Sequence, residues 1–257
     1  MSRAERTLTG ILAVFAVAIA VLAVRAKRRA PPVAAARQNT GADSVFNVPV
    51  RLTAADRIKR AAERAVRVRD MVAASAGATY IDEVLAQSDS TVRHWASSVN
   101  APVHVWVQAP ASLAGGRASY ADLVREALAT WSSAEGIPVR FAATDDSARA
   151  PIRVVWTTRF ADNRIGLTRI DAINDTIRTS TITIALQRSN GTALGEADIA
   201  RCALHEVGHL LGLAHTADST SIMAAESSRP QLSPRDRATA RLLYALPVGS
   251  IKAGAVW

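Results

Sequence analysis

Residues 205–215 read His-Glu-Val-Gly-His-Leu-Leu-Gly-Leu-Ala-His, placing three imidazoles and one carboxylate within a single short segment. On an α-helix His205 and His209 differ by four positions, so they project from one face about a turn apart and can grip one metal ion. A third ligand on the same helix would point away. Gly212 is the residue best able to take φ > 0, turn the chain out of the helix and let His215 swing back. Three neutral imidazoles leave the fourth tetrahedral position to water, the open arrangement of a catalytic zinc site. Glu206, beside the ligands but not one of them, is then the candidate general base for that water. The pattern H-E-x-x-H alone would arise by chance in a chain of this length about once in a few hundred, but the full eleven-residue pattern arises only on the order of once in 10⁵.

A helix must carry the first two histidines. Glu196 and Asp198 stand where its first turn would meet the positive end of the dipole, and Ile199, Ala203, Val207, Leu210 and Leu211 supply an apolar side. Cys202, one turn before His205, reads as a small core residue and not a fourth ligand, and His94 and His104 as satisfied or surface residues. Upstream, residues 103–107 have strand composition. Ser119 and Asp122 have the spacing to cap a helix whose Val124, Ala127, Leu128 and Trp131 recur at helical spacing. Residues 139–142 and 152–156 read as further strands, and the β-α-β order favours parallel neighbours in one α/β sheet. Residues 165–170 and 177–186 flank a turn-prone stretch, 171–175, and could add a hairpin with an antiparallel edge. Asp145-Asp146 and the acids of 171–175 could be considered for calcium, but neither has the EF-hand pattern, and solvated turns are the simpler reading.

The chain has 257 residues and is 49% apolar, enough for one sizeable core with appendages. Its formal charge of +9 resembles a nucleic-acid signal until it is divided by region: residues 1–100 hold 15 Lys and Arg against 8 Asp and Glu, residues 101–257 hold 16 against 14. No basic run interleaved with aromatics follows residue 100, so no nucleic-acid partner is expected. A single cysteine excludes an intrachain disulfide and a Cys-rich zinc module. Residues 8–24 carry no charge and are bracketed by Arg3 and Arg6 before and Arg25, Lys27, Arg28 and Arg29 after, which marks a membrane segment. Four regions are expected: a membrane anchor or uncleaved signal-like segment at 1–29, a Pro/Ala-rich linker and helical stalk at 30–90, a compact domain at 91–247 and a tail at 248–257. Within the stalk, Thr53 and Asp56 signal the start of a weakly amphipathic helix that ends near Gly77.

The eleven-residue motif resembles that of the metzincin metallopeptidases, and Thr220-Ser-Ile-Met223-Ala resembles their Met-turn. Thr216 after the third histidine, and the stretch from Leu232-Ser-Pro-Arg-Asp236 to Tyr244, resemble the matrixin branch, so the similarity spans about residues 91–247. The resemblance implies four parallel strands with one antiparallel edge strand, an active-site helix behind the sheet and a closing C-terminal helix. It further implies an endopeptidase with one catalytic zinc, with Met223 packing beneath the metal. A protein or peptide substrate would lie extended along the edge strand near Gly166, Leu167 and Thr168. The chain departs from the animal matrixins in having no histidine between Val105 and Leu204 for a structural zinc, and no cysteine before Cys202 to cap the metal. It also has Ala224-Ala225-Glu226 where the family carries a Pro and a Tyr. The rival reading is a membrane-tethered protein of the same fold that binds without turnover. Basic residues after segment 8–24 outnumber those before, which alone favours a cytoplasmic domain; the enzyme class argues for a domain outside the cytoplasm, and the second arrangement is the expectation.

Overall fold

The computed structural model describes residues 53–96 and 101–252. The apolar segment 8–24 and the linker at 30–50 lie outside them; among the described residues no helix is long and apolar enough to cross a membrane. Helix α1 spans Ala54–Ala74 and begins as its sequence dictates: the Thr53 hydroxyl accepts the Asp56 N–H at 3.1 Å and the Asp56 carboxylate accepts the Thr53 N–H at 3.0 Å. Only Val68 of this helix is buried. The chain then turns through Gly77 into helix α2, Ile81–Gln87, whose Ile81, Val84 and Leu85 are buried.

A five-stranded sheet follows. Strand β1, Thr91–Val92, pairs instead with the terminal β7, Gly249–Ser250. The main sheet comprises β2, Val103–Val107, β3, Phe141–Ala143, β4, Ile152–Thr157, β5, Gly166–Ile173, and β6, Thr176–Ala185, in the order β3-β2-β4-β6-β5. Its first four strands are parallel and β5 runs antiparallel to β6. One face is apolar because alternate residues point to it: Val103 and Val105 in β2, Ile152, Val154 and Trp156 in β4, and Ile182 and Ile184 in β6 are all buried. The hairpin is tighter than the sequence suggests. Strands β5 and β6 run on through much of the turn-prone stretch until only Asn174 and Asp175 remain, both with positive φ (49° and 58°), the conformation a two-residue hairpin requires.

Helix α3, Ser119–Ser132, and helix α4, Glu196–Leu210, pack together, with the Trp131 indole N–H donating to the Leu204 carbonyl at 2.9 Å. Ser119 does not cap α3 as its spacing suggests. It is the first helical residue, and its hydroxyl reaches Glu196 at 2.8 Å, tying the start of α3 to the start of α4. Helix α5, Pro234–Ala245, opens with Ser233 as cap and Pro234 in its first turn. The hydrophobic core also reaches upstream of Thr91, taking in Val68, Tyr80, Ile81, Val84 and Leu85 from the stretch whose sequence reads as stalk. The reason is periodicity too short to register: α2 has only seven residues, and three of them are anchors.

Candidate metal centre

Helix α4 presents His205 and His209 on one face, as their spacing requires, and ends at the capping residue Leu211. Gly212 follows with φ +100°, and a Cβ there would run into the Arg93 carbonyl oxygen, so the turn is both conformationally and sterically reserved for glycine. The chain then carries His215 back until its Nε2 lies 3.2 Å from the Nε2 of His205 and 3.2 Å from that of His209. Three imidazole nitrogens at such range would repel if all were bare lone pairs with nothing between them. A tetrahedral zinc with nitrogens at ~2.0–2.1 Å sets them roughly 3.3–3.4 Å apart, so the spacing fits such an ion.

The ring orientations agree with that fit. His205 Nδ1 lies 2.7 Å from the Ile222 carbonyl and His209 Nδ1 2.8 Å from the Leu213 carbonyl. A carbonyl can only accept, so each Nδ1 carries the proton and each Nε2 is left with a lone pair aimed at the common point. Burial holds all three imidazoles below their ordinary pKa. His209 is lowered furthest, to about 3, with His205 as a second cause. They are neutral at physiological pH, the form that ligates a metal. Among the described residues, these three are the group of His, Cys, Asp or Glu side chains close enough to hold an ion. Cys202 is buried in the core, with its thiol against the Ile165 carbonyl at 3.5 Å, and His94 is buried between the Trp95 and Leu246 carbonyls. Asp146 accepts from the N–H groups of Ala148 and Arg149, Asp171 from the Thr179 hydroxyl, and Asp175 pairs with Arg93.

Glu206 is 5% exposed, and its carboxylate lies between α4 and β5. Gly166 makes room for it: a Cβ on that residue would collide with Glu206 Oε1 and Cys202 Sγ. The Thr168 hydroxyl approaches Oε2 at 2.6 Å, a contact the sequence gives no means of anticipating. Burial raises the Glu206 pKa to about 7, against the opposing pull of that hydrogen bond. Leu167, between the two, pairs with Thr183 of β6. The three histidines and Glu206 line a cleft of about 1220 Å³, bounded on one side by β5 and on another by residues upstream of the sheet, including Gln87 and Arg93.

Met223 is fully buried, with its sulfur packed against Gly208 on α4, where a Cβ would displace it. Its turn is held by a buried carboxylate that the sequence marks only as part of the stretch resembling the closing helix. Asp236 accepts from the Tyr80 hydroxyl at 3.0 Å, the Ile222 N–H at 3.1 Å, the Ser233 N–H at 2.7 Å and the Ser221 hydroxyl. Since Ile222 also offers its carbonyl to His205, one residue, through its two flanking peptide groups, links the base of α5 to a metal-facing ring.

Compared with known proteins, the chain matches the family model described as matrixin over residues 106–245, from the end of β2 to the end of α5. No curated protein matches it.

Proposed function

The chain belongs to the matrixin family of zinc metallopeptidases, and from that premise we propose an endopeptidase in which His205, His209 and His215 hold the zinc and Glu206 is the general base. The observation that carries this reading is the convergence of three Nε2 atoms, from imidazoles that are neutral at physiological pH, beside a buried carboxylate in a cleft bounded by a strand edge. Zinc, when bound there, supplies Lewis acidity toward a water and a peptide carbonyl. Glu206 takes the proton of the attacking water and passes it to the departing amine nitrogen. With Oε2 engaged by Thr168, Oε1 is the oxygen left for that proton, since among the described residues it accepts no hydrogen bond. A pKa raised by burial suits a group that must both accept and release a proton near neutrality, and a cation at the three nitrogens would draw it down again. Strand β5 pairs with β6 on one side only; Leu167 turns its main-chain groups to β6, so those of Gly166 and Thr168 on either side of it are available on the open edge to align an extended peptide.

The test is hydrolysis of denatured casein by the wild-type chain, with and without a chelator. Wild type should cleave and the chelator should stop it. Glu206→Gln should fall below a few per cent of wild-type activity while retaining about one zinc per chain, because a base is removed and no ligand is lost. Greater activity would remove Glu206 from this role; tight zinc without turnover in wild type would favour the binding protein of the same fold. We infer further that residues 8–24 tether the domain outside the cytoplasm: the uncharged run with basic residues on both sides supports the tether, and the enzyme class, against the balance of those flanking charges, supports the orientation. Protease added to intact spheroplasts should then degrade the domain, and full protection until lysis would reverse the orientation.

A further inference from the structure

The three histidines are not held alike. His205 and His209 are fixed twice, by the rigid backbone of α4 and by a carbonyl on each Nδ1. His215 has neither support: it lies beyond the helix, its side chain is exposed, and among the described residues its Nδ1 has no hydrogen-bond partner. Its ring can be aimed only through its backbone, and that backbone is gripped by α2. The Gln87 side-chain amide donates to the His215 carbonyl at 2.6 Å. One carboxylate then takes the next two residues, Glu83 Oε1 accepting the Thr216 hydroxyl at 3.0 Å and Oε2 the Ala217 N–H at 2.7 Å. Both Glu83 oxygens are thereby engaged by residues 216 and 217.

These contacts can hold because α2 is itself immobilised by Ile81, Val84 and Leu85 in the core. On the other side of the segment the Thr216 N–H donates to the Met223 carbonyl at 3.1 Å, so residues 215–217 are clamped between α2 and the Met223 turn. Residues 81–87 precede the stretch 106–245 that matches the family, so this half of the clamp comes from outside the matched region.

We propose that Glu83 and Gln87 are positioning residues for the third metal ligand, holding residues 215–217 so that the His215 ring meets the other two. The proposal rests on the three-histidine reading given above. A ligand whose segment is ordered in advance does not have to be ordered when the metal binds, and the loss of such supporting contacts typically weakens metal affinity by ~10–100-fold.

The experiment measures zinc affinity of the full chain by competition with a chromophoric chelator, and the visible spectrum of the cobalt-substituted protein, which reports ligand geometry. Glu83→Ala with Gln87→Ala should weaken zinc binding by roughly 10-fold or more and alter the cobalt bands. Glu83→Gln keeps a side-chain oxygen for the Ala217 N–H and should recover most of the affinity. Asp82→Asn, on the exposed side of the same helix, should match wild type. Should the double variant fail to fold, Gln87→Ala decides alone, because Gln87 is exposed and its removal takes away only the hold on the His215 carbonyl and a bond within α2. Wild-type affinity and an unchanged cobalt spectrum in the folded clamp variants would overturn the proposal, as would an equal loss in Asp82→Asn. If wild type bound no zinc, or bound it equally well after His215→Ala, the three-histidine reading would itself fall. Zinc that requires His215 but ignores the clamp variants sinks the positioning role alone.

Discussion

Glu206 shows how one side chain can be read for its type and still be incomplete without its surroundings. Its place in the motif marks a base, but the burial that raises its pKa and the Thr168 hydroxyl that opposes the rise come from packing against a strand 38 residues earlier. In the metal-free protein this coupling has a measurable sign. A carboxyl with a folded pKa of about 7 against an ordinary 4.5 contributes stability that is full at low pH and lost as pH rises through 7, where the buried group ionises. The melting temperature of chelated wild type should therefore fall relative to chelated Glu206→Gln between pH 5 and pH 8, a difference of up to roughly 3 kcal/mol. Thr168→Val removes the hydrogen bond that favours the charged form and should move that loss to higher pH. The buried histidines act oppositely, losing stability as pH falls, but they are common to all three proteins and cancel in the difference. An unchanged gap across this range would mean that Glu206 is not buried as described.

At the scale of elements, periodicity was the legible part. Strand β2 has the bounds its composition suggests, and α1 begins at the capping pair Thr53 and Asp56. The hairpin of β5 and β6 was legible as a hairpin but not in its length, because only Asn174 and Asp175 of the stretch take positive φ values, while Asp171 before them remains in strand. Gly212 was legible as a turn, and the structure adds the Arg93 carbonyl that would meet any side chain there. Gly212→Ala should accordingly destabilise the protein by at least ~2 kcal/mol, the sum of a strained φ and a backbone collision, and should weaken zinc binding with it. Chemical denaturation and zinc competition check this; near-wild-type values in both would show that the turn can relax. The α2 contacts to residues 215–217 were illegible because nothing periodic links Glu83 to Ala217, and polar side chains on a seven-residue helix look the same whether they face water or a neighbour.

For the molecule as a whole, the fold of residues 106–245 is the family's, yet the core does not begin there. Tyr80, Ile81, Val84 and Leu85 are buried in the same cluster as the sheet and α5, the Tyr80 hydroxyl binds Asp236, and the Tyr80 N–H binds the Thr239 hydroxyl. Full burial of side chains of this size contributes ~1.5–3 kcal/mol each, and a domain's net stability is only ~5–15 kcal/mol. A chain beginning at residue 91 should therefore lose cooperative unfolding and zinc retention, while one beginning at residue 53 keeps both, as thermal melts with circular dichroism would report. Cooperative melting of the shorter chain would make the upstream segment an accessory.

The same long-range contacts set an order of events during synthesis. Tyr80 and Asp236 are 156 positions apart, and Glu83 and Ala217 are 134 apart. Contacts of such separation close late, because the intervening chain must first exist and then be ordered. A nascent polypeptide on the ribosome thus exposes α1 and α2 early, with nothing to dock against, and completes its third histidine and the turn beneath it only after α4 has been made. Until then the two histidines of α4 lack their partner, so the three-histidine site cannot form on a partial chain, and that order comes from chain topology.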